Sequence, residues 1–177
     1  MREEPKVSPI RISIASAAVS VLVVTGAIAA PQSKSAEVTA KLAAAAKPMS
    51  AKALEALYAG KTWKWKDGAG YFSADGHQFT GWQQTSPSWY YYGRGRWTTS
   101  NSGKLCMQAL WYYRTGYGKN PSCILHREKD GVIYQKPALG GEWYVFRHNP
   151  VRPDDEIHRL LPGDRVAKNV ARLEAQR

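Results

Sequence analysis

Acidic side chains are scarce in this chain. Fourteen Asp and Glu stand against 25 Lys and Arg, so the formal net charge is +11. A surface of that sign attracts anions and repels cations and basic partners. Cysteine is scarcer still, with Cys106 and Cys123 alone among 177 residues. Two thiolates with no His at ligand spacing make a poor zinc site. The four His (His77, His126, His148 and His158) form no H-x-H or H-E-x-x-H pair, and none stands beside a nucleophile motif. No Gly-rich phosphate loop follows a strand. No catalytic residue, metal or cofactor is therefore expected, and a hydrolase stays open only through a site that folding alone would assemble.

Long apolar runs are absent too, save one. Residues 12–30 (ISIASAAVSVLVVTGAIAA) hold no charge and follow Arg2, Lys6 and Arg11. That is the charged start and apolar centre of an export signal, with Ala27-Ile28-Ala29 supplying small residues for cleavage after Ala29. No Cys follows that could carry a lipoprotein anchor, and no twin Arg precedes the run. The alternative is an uncleaved anchor, because 19 residues at helical rise just span a bilayer. Either way the rest of the chain is expected outside the cytoplasm, periplasmic or secreted, or tethered to the inner membrane. In that compartment an even cysteine count invites a disulfide between Cys106 and Cys123.

What the chain has in excess is aromatic. Nineteen of its twenty aromatic residues lie between positions 63 and 146. Before them, residues 30–48 read as an Ala-rich linker, flexible or fraying helix, and residues 49–177 as one β-rich domain. The segment MSAKALEALYAG predicts a short N-terminal helix, capped by Ser50 and stopped by Gly60. From Thr62 the pattern alternates with period two between turn signals such as Asp67-Gly68, Asp75-Gly76 and Asp130-Gly131. This predicts eight strands, at 62–66, 69–74, 77–84, 89–99, 104–114, 122–129, 132–138 and 142–148. Short connections make them an antiparallel meander, either barrel-like or a strongly curled sheet. Cys106 and Cys123 would face one another across the fifth hairpin, with the Gly116 region as its loop. Val166, Val170 and Leu173 form the stripe of a C-terminal helix docked on the domain.

The stretch WYYYGRGRW, residues 89–97, alternates two faces if it is a strand. Trp89, Tyr91, Gly93, Gly95 and Trp97 read as packing. Tyr90, Tyr92, Arg94 and Arg96 read as an amphipathic face, either plainly solvated or a binding surface joined by Trp111 and Tyr113 on the next strand. Stacking and phosphate neutralisation on such a face could serve nucleic acid, but an exported protein meets little of it. The charged run from His126 to Asp130 reads as a strand end in solvent. Asp154, Asp155, Glu156 and His158 read as the start of a helical turn.

The runs AGKTWKWKDGAGYFSADGHQFTGW, GRWTTSNSGKLCMQALW, CILHREKDGVIYQKP and EWYVFR together resemble a family of small exported proteins from rhizobia and related alphaproteobacteria, catalogued as a domain of unknown function. The resemblance spans about residues 50–170. It implies export and one all-β domain, and it brings no activity. Gly60 and Trp63 near the first strand, with Arg147 ending the last, are more loosely similar to lipocalin-like barrels. That similarity implies Arg147 stacked over Trp63 to close the barrel.

Taken together, these features predict a non-catalytic binding module of the envelope. Its partner would be a small amphipathic or aromatic ligand in a barrel mouth, or an anionic glycan on the surface. The alternative is an interaction or inhibitor protein whose basic surface meets acidic polymer or, at a membrane surface, anionic headgroups.

Overall fold

Turn geometry sets the strand boundaries. Asp130 and Gly131 both adopt positive φ, 53° and 79°, the backbone of a two-residue hairpin whose twist suits its flanking strands. The computed structural model describes residues 34–177, and the predicted export signal lies outside them. Helices α1 (Lys34–Ala44) and α2 (Ala51–Tyr58) flank a two-residue strand β1 (Lys47–Pro48). The meander follows as β2 (Lys61–Trp65), β3 (Gly68–Phe72), β4 (Gln78–Ser86), β5 (Trp89–Thr99), β6 (Lys104–Tyr113), β7 (Gly116–Lys129), β8 (Val132–Pro137) and β9 (Tyr144–Arg147). A 3-10 turn at Glu156–Arg159, strand β10 (Leu160–Pro162) and helix α3 (Ala167–Glu174) end the chain.

All eight expected strands form, each antiparallel to its sequence neighbour. Strand β10 adds to β2, giving the order β10-β2-β3-β4-β5-β6-β7-β8-β9. The result is a strongly curled half-barrel. Strands β9 and β10 remain its two edges and are not hydrogen-bonded to each other.

Helix α2 fills the inner face. Ser50 caps it by accepting the Ala53 N–H at 3.1 Å, and Leu54 and Tyr58 are wholly buried against Phe72, Trp97, Leu105 and Phe146. Burying each large apolar side chain contributes about 1.5–3 kcal/mol. On the outer face, α3 covers Tyr90 and Tyr92 with Val166, Val170 and Leu173. Helix α1 covers Tyr134 with Ala43, and Ala46 just beyond it joins the same cluster.

Two expectations on boundaries are corrected. Residues 34–48 are not a free spacer but α1 and β1. Small alanines let the helix lie close to the sheet, and Arg127 donates to the carbonyls of Ala43 and Ala44 at its C-terminus, where a cation is favoured. Strand β7 also starts at Gly116, six residues before the expected position. Its first half pairs with β6 alone, because β8 begins opposite Lys129 and ends opposite Ile124. Along such an edge Pro121 removes no ladder bond, so the turn-like residues there do not break the strand.

Candidate ligand-binding surface

Strand β5 alternates as expected, and both of its glycines answer to close approach. A Cβ on Gly93 would lie 2.7 Å from the Trp111 indole, and one on Gly95 would lie 1.9 Å from the Gln108 carbonyl oxygen. Contacts that short admit no side chain.

The six residues expected to share one binding face do not. Trp111 pairs with Gly93 and Tyr113 with Tyr91, so both lie on the inner face, opposite Tyr90 and Tyr92. The outer neighbour of Tyr92 is Tyr112, stacked on it at 5.2 Å. A one-residue slip in register moves every side chain to the other face. The correct phase was legible only through the turn between β5 and β6.

The outer face is largely occupied. Tyr90 and Tyr92 are buried under α3, and the Tyr90 hydroxyl donates to the Gln176 carbonyl at 2.9 Å. Arg94 forms a two-pronged pair with Glu174 at 2.8 and 3.0 Å. That hydrogen-bonded pairing raises the guanidinium pKa and lowers that of the carboxyl. The amphipathic stripe of α3 needs an apolar partner, and the tyrosines supply it. Arg96, further along, stays exposed.

Three of the exposed aromatic residues lie together at one end of the sheet. Between the β4–β5 and β6–β7 turns is a cleft of about 720 Å³, walled by Trp89, Tyr91, Tyr113 and Tyr117 with Arg114 on its rim. Trp89 is 71% exposed, Tyr117 69% and Tyr113 40%. Tyr91 sits edge-on to Trp111 at 5.4 Å and 5.6 Å from Tyr113. Burial, then the neighbouring Tyr113, push its phenol pKa up, so it stays neutral and able to donate. Of the residues lining this cleft, Tyr90 and Tyr113 are among those the sequence singles out for binding. The sequence reads Trp89 and Tyr91 as packing, on one face with Trp97, and alternation says nothing about how far along a strand the core extends.

One histidine is placed differently from expectation. His126 is fully buried rather than at a solvated strand end. It lies two residues after Ile124 on the inner face, and that phase was its signal. The Tyr58 hydroxyl and the Gln135 amide approach its Nε2 at 2.8 and 2.7 Å, and Tyr144 donates to the Gln135 side-chain carbonyl. Burial lowers the His126 pKa to about 4, although hydrogen bonds at Gly103 and Ile124 oppose this. His148 meets Asp155 at 2.5 Å. The same carboxylate accepts the backbone N–H groups of His148 and Arg152, so the pair clamps the loop that leads into the 3-10 turn.

Arg147 does not stack over Trp63. Its guanidinium donates to the Gly131 carbonyl at 3.0 Å. The Trp63 ring lies edge-on to Phe146 at 6.3 Å, and its Nε1 donates to Glu156. The register between β8 and β9 shifts at this point, setting Arg147 opposite Ile133 beside the β7–β8 turn that contains Gly131. Cys106 and Cys123 are bonded directly opposite one another, S–S 2.08 Å. Among the described residues no cluster of three His, Cys, Asp or Glu could hold a metal, and no helix is long and apolar enough to cross a membrane.

No curated protein and no solved structure matches the chain. A family model does, over residues 20–166, which takes in the whole meander together with the buried His126 network and the aromatic cleft. The chain therefore belongs to the family described as protein of unknown function (DUF995).

Proposed function

We propose that this protein is a non-catalytic binding module for an anionic glycan, held in the cleft of Trp89, Tyr91, Tyr113 and Tyr117. The observation that carries this reading is the pair Trp89 and Tyr117, each about 70% exposed on the rim of one cleft. Large aromatics grouped in the open mark an interaction site. Sugar rings present C–H faces that pack on aromatic planes, and their hydroxyls can pair with the tyrosine hydroxyls. Arg114 at the rim and the net charge of +11 favour an acidic sugar. The inner face is filled by α2 and its aromatic partners, which favours a surface site over a lipid held in the interior. The apolar run at residues 12–30 and the disulfide support a location outside the cytoplasm.

The test is tryptophan fluorescence of the full chain, titrated with acidic and neutral oligosaccharides at low and high salt. An acidic oligosaccharide should give a saturable change that Trp89→Ala weakens about tenfold, the scale of a lost aromatic contact. Equal binding by the variant, or no response to any oligosaccharide, would remove the cleft from consideration.

A further inference from the structure

A hollow of about 450 Å³ opens on the outer face between β2 and α3, and its lining includes Lys64, Lys66, Ala69, Trp82, Arg165 and Asn169. We infer that it is a binding site for the phosphate monoester group of a small molecule. The site is separate from the aromatic cleft, because Tyr91 and Tyr113 stand on the inner face, and it does not depend on the glycan reading.

The register builds the hollow. Lys64, Ala69, Trp82 and Tyr92 stand opposite one another in turn on the outer face. Ala69 is small, so the row dips between the lysine and the indole. Thr62 lies two residues before Lys64 on the same face and is buried. Its hydroxyl donates to the Gly163 carbonyl at 2.7 Å and accepts the Arg165 N–H at 3.0 Å. Those two bonds hold the loop before α3 against β2, which brings Arg165 to the same concavity as Lys64 and Lys66.

The lining is rich in donors and holds no carboxylate. Lys64 and Lys66 are exposed and form no ion pair among the described residues. Arg165 uses its Nε on the Pro162 carbonyl at 3.2 Å, which leaves its two terminal nitrogens for a ligand. The Asn169 side-chain amide is also without a partner among the described residues. Trp82 adds a buried indole Nε1 with no acceptor, a costly state for a donor. The nearby acids do not neutralise the lysines. Asp164 accepts the Val166 and Ala167 N–H groups, Glu156 pairs with Arg159, and Asp67 in the β2–β3 turn pairs with neither lysine. Three cations gathered without a carboxylate repel one another, and a bound anion relieves that. Two point charges and one guanidinium fork suit a phosphate monoester, with its near-double charge and three terminal oxygens, better than a carboxylate. An adjoining cleft of about 530 Å³ shares Lys64, Trp65, Lys66 and Leu161 and adds His158 and Arg159. It gives room for the organic part of the ligand beside the Trp65 ring.

The experiment is calorimetric titration of the full chain with glucose 6-phosphate, against glucose, glucuronate and inorganic phosphate. Glucose 6-phosphate should bind saturably, inorganic phosphate and glucuronate more weakly, and glucose not at all. Lys64→Gln with Lys66→Gln should weaken glucose 6-phosphate by about tenfold or more, the scale of a hydrogen bond to a charged group. Arg165→Gln should do the same. All three side chains are exposed, so an unchanged urea midpoint shows that the variants are folded. Trp89→Ala should bind glucose 6-phosphate as the parent does, which separates this result from the fate of the aromatic cleft. No binding of glucose 6-phosphate, undiminished binding by the lysine variant, or equal affinity for glucuronate or inorganic phosphate would overturn the inference. Lysine-dependent binding to phosphatidylglycerol vesicles, with none to glucose 6-phosphate, would make the hollow a membrane contact and overturn it too.

Discussion

Trp89 and Trp97 stand on the same strand and face the same side of the sheet, yet one is 71% exposed and the other wholly buried. The difference is α2. The helix lies over the end of the half-barrel where Trp97 meets Phe72 at 5.8 Å and donates to the Ser73 carbonyl at 2.9 Å. It does not reach the opposite end, where the rings of Trp89 and Tyr113 remain open. One residue type thus serves stability at the covered end and is free to serve binding at the other. Aromatic content alone is evidence for neither.

Substitution should separate the two ends most sharply. Trp97→Ala is expected to cost about 4 kcal/mol, the range for removing a buried indole. Trp89→Ala should change stability by no more than about 0.5 kcal/mol. Urea denaturation of both variants makes the comparison, and a comparable loss in each would mean that the open end is also structural.

Acid should act on the covered end. His126 has a folded pKa of about 4 against an ordinary value near 6.5, so the unfolded chain binds the extra proton between those values. Stability contributed by keeping His126 neutral is present above about pH 6.5 and is lost as pH falls toward 4, amounting to about 3 kcal/mol. Urea midpoints across that window should fall, and His126→Gln should flatten the dependence. Asp155 acts lower on the scale. Burial works to raise its pKa, but hydrogen bonds from Arg152 and His148 prevail and hold it at about 2, so its contribution fades only as pH falls from near 4 through 2.

Reduction tests the same end by another route. The disulfide joins β6 to β7 with a sequence separation of 17, a loop worth about 3 kcal/mol on the chain-entropy account. Reduced protein should unfold at lower urea, while ligand binding at the aromatic cleft should persist where the fold does. The smallest effect is expected on the outer face. The Arg94–Glu174 pair is about half exposed on both sides, so Arg94→Ala should cost no more than about 1 kcal/mol. A larger loss in thermal or urea melts would show that α3 depends on this pair rather than on Val166, Val170 and Leu173.

The fold was more legible than the site. Alternation and Asp-Gly turns marked all eight strands, Ser50 and Gly60 bounded α2, and the cysteine spacing placed two residues opposite one another. These are local signals, since turn chemistry and strand period act within a few residues. The candidate site failed where the information is not local. Assigning Trp111 and Tyr113 to the face of Tyr90 was an error of register, and treating the latter face as open overlooked what α3 would cover. Arg147 is held by the Gly131 carbonyl rather than over Trp63, at a register shift between β8 and β9 that strand period alone does not reveal.

By itself, then, the sequence determined the meander, the disulfide and the excess of positive charge, because backbone period, turn geometry and composition are properties of neighbouring residues. Only the tertiary structure decided that the sheet stays open, that His126 is in the core, and which aromatics face solvent. Each of these depends on where a helix lands on the sheet, and that is set by packing between segments far apart in the chain.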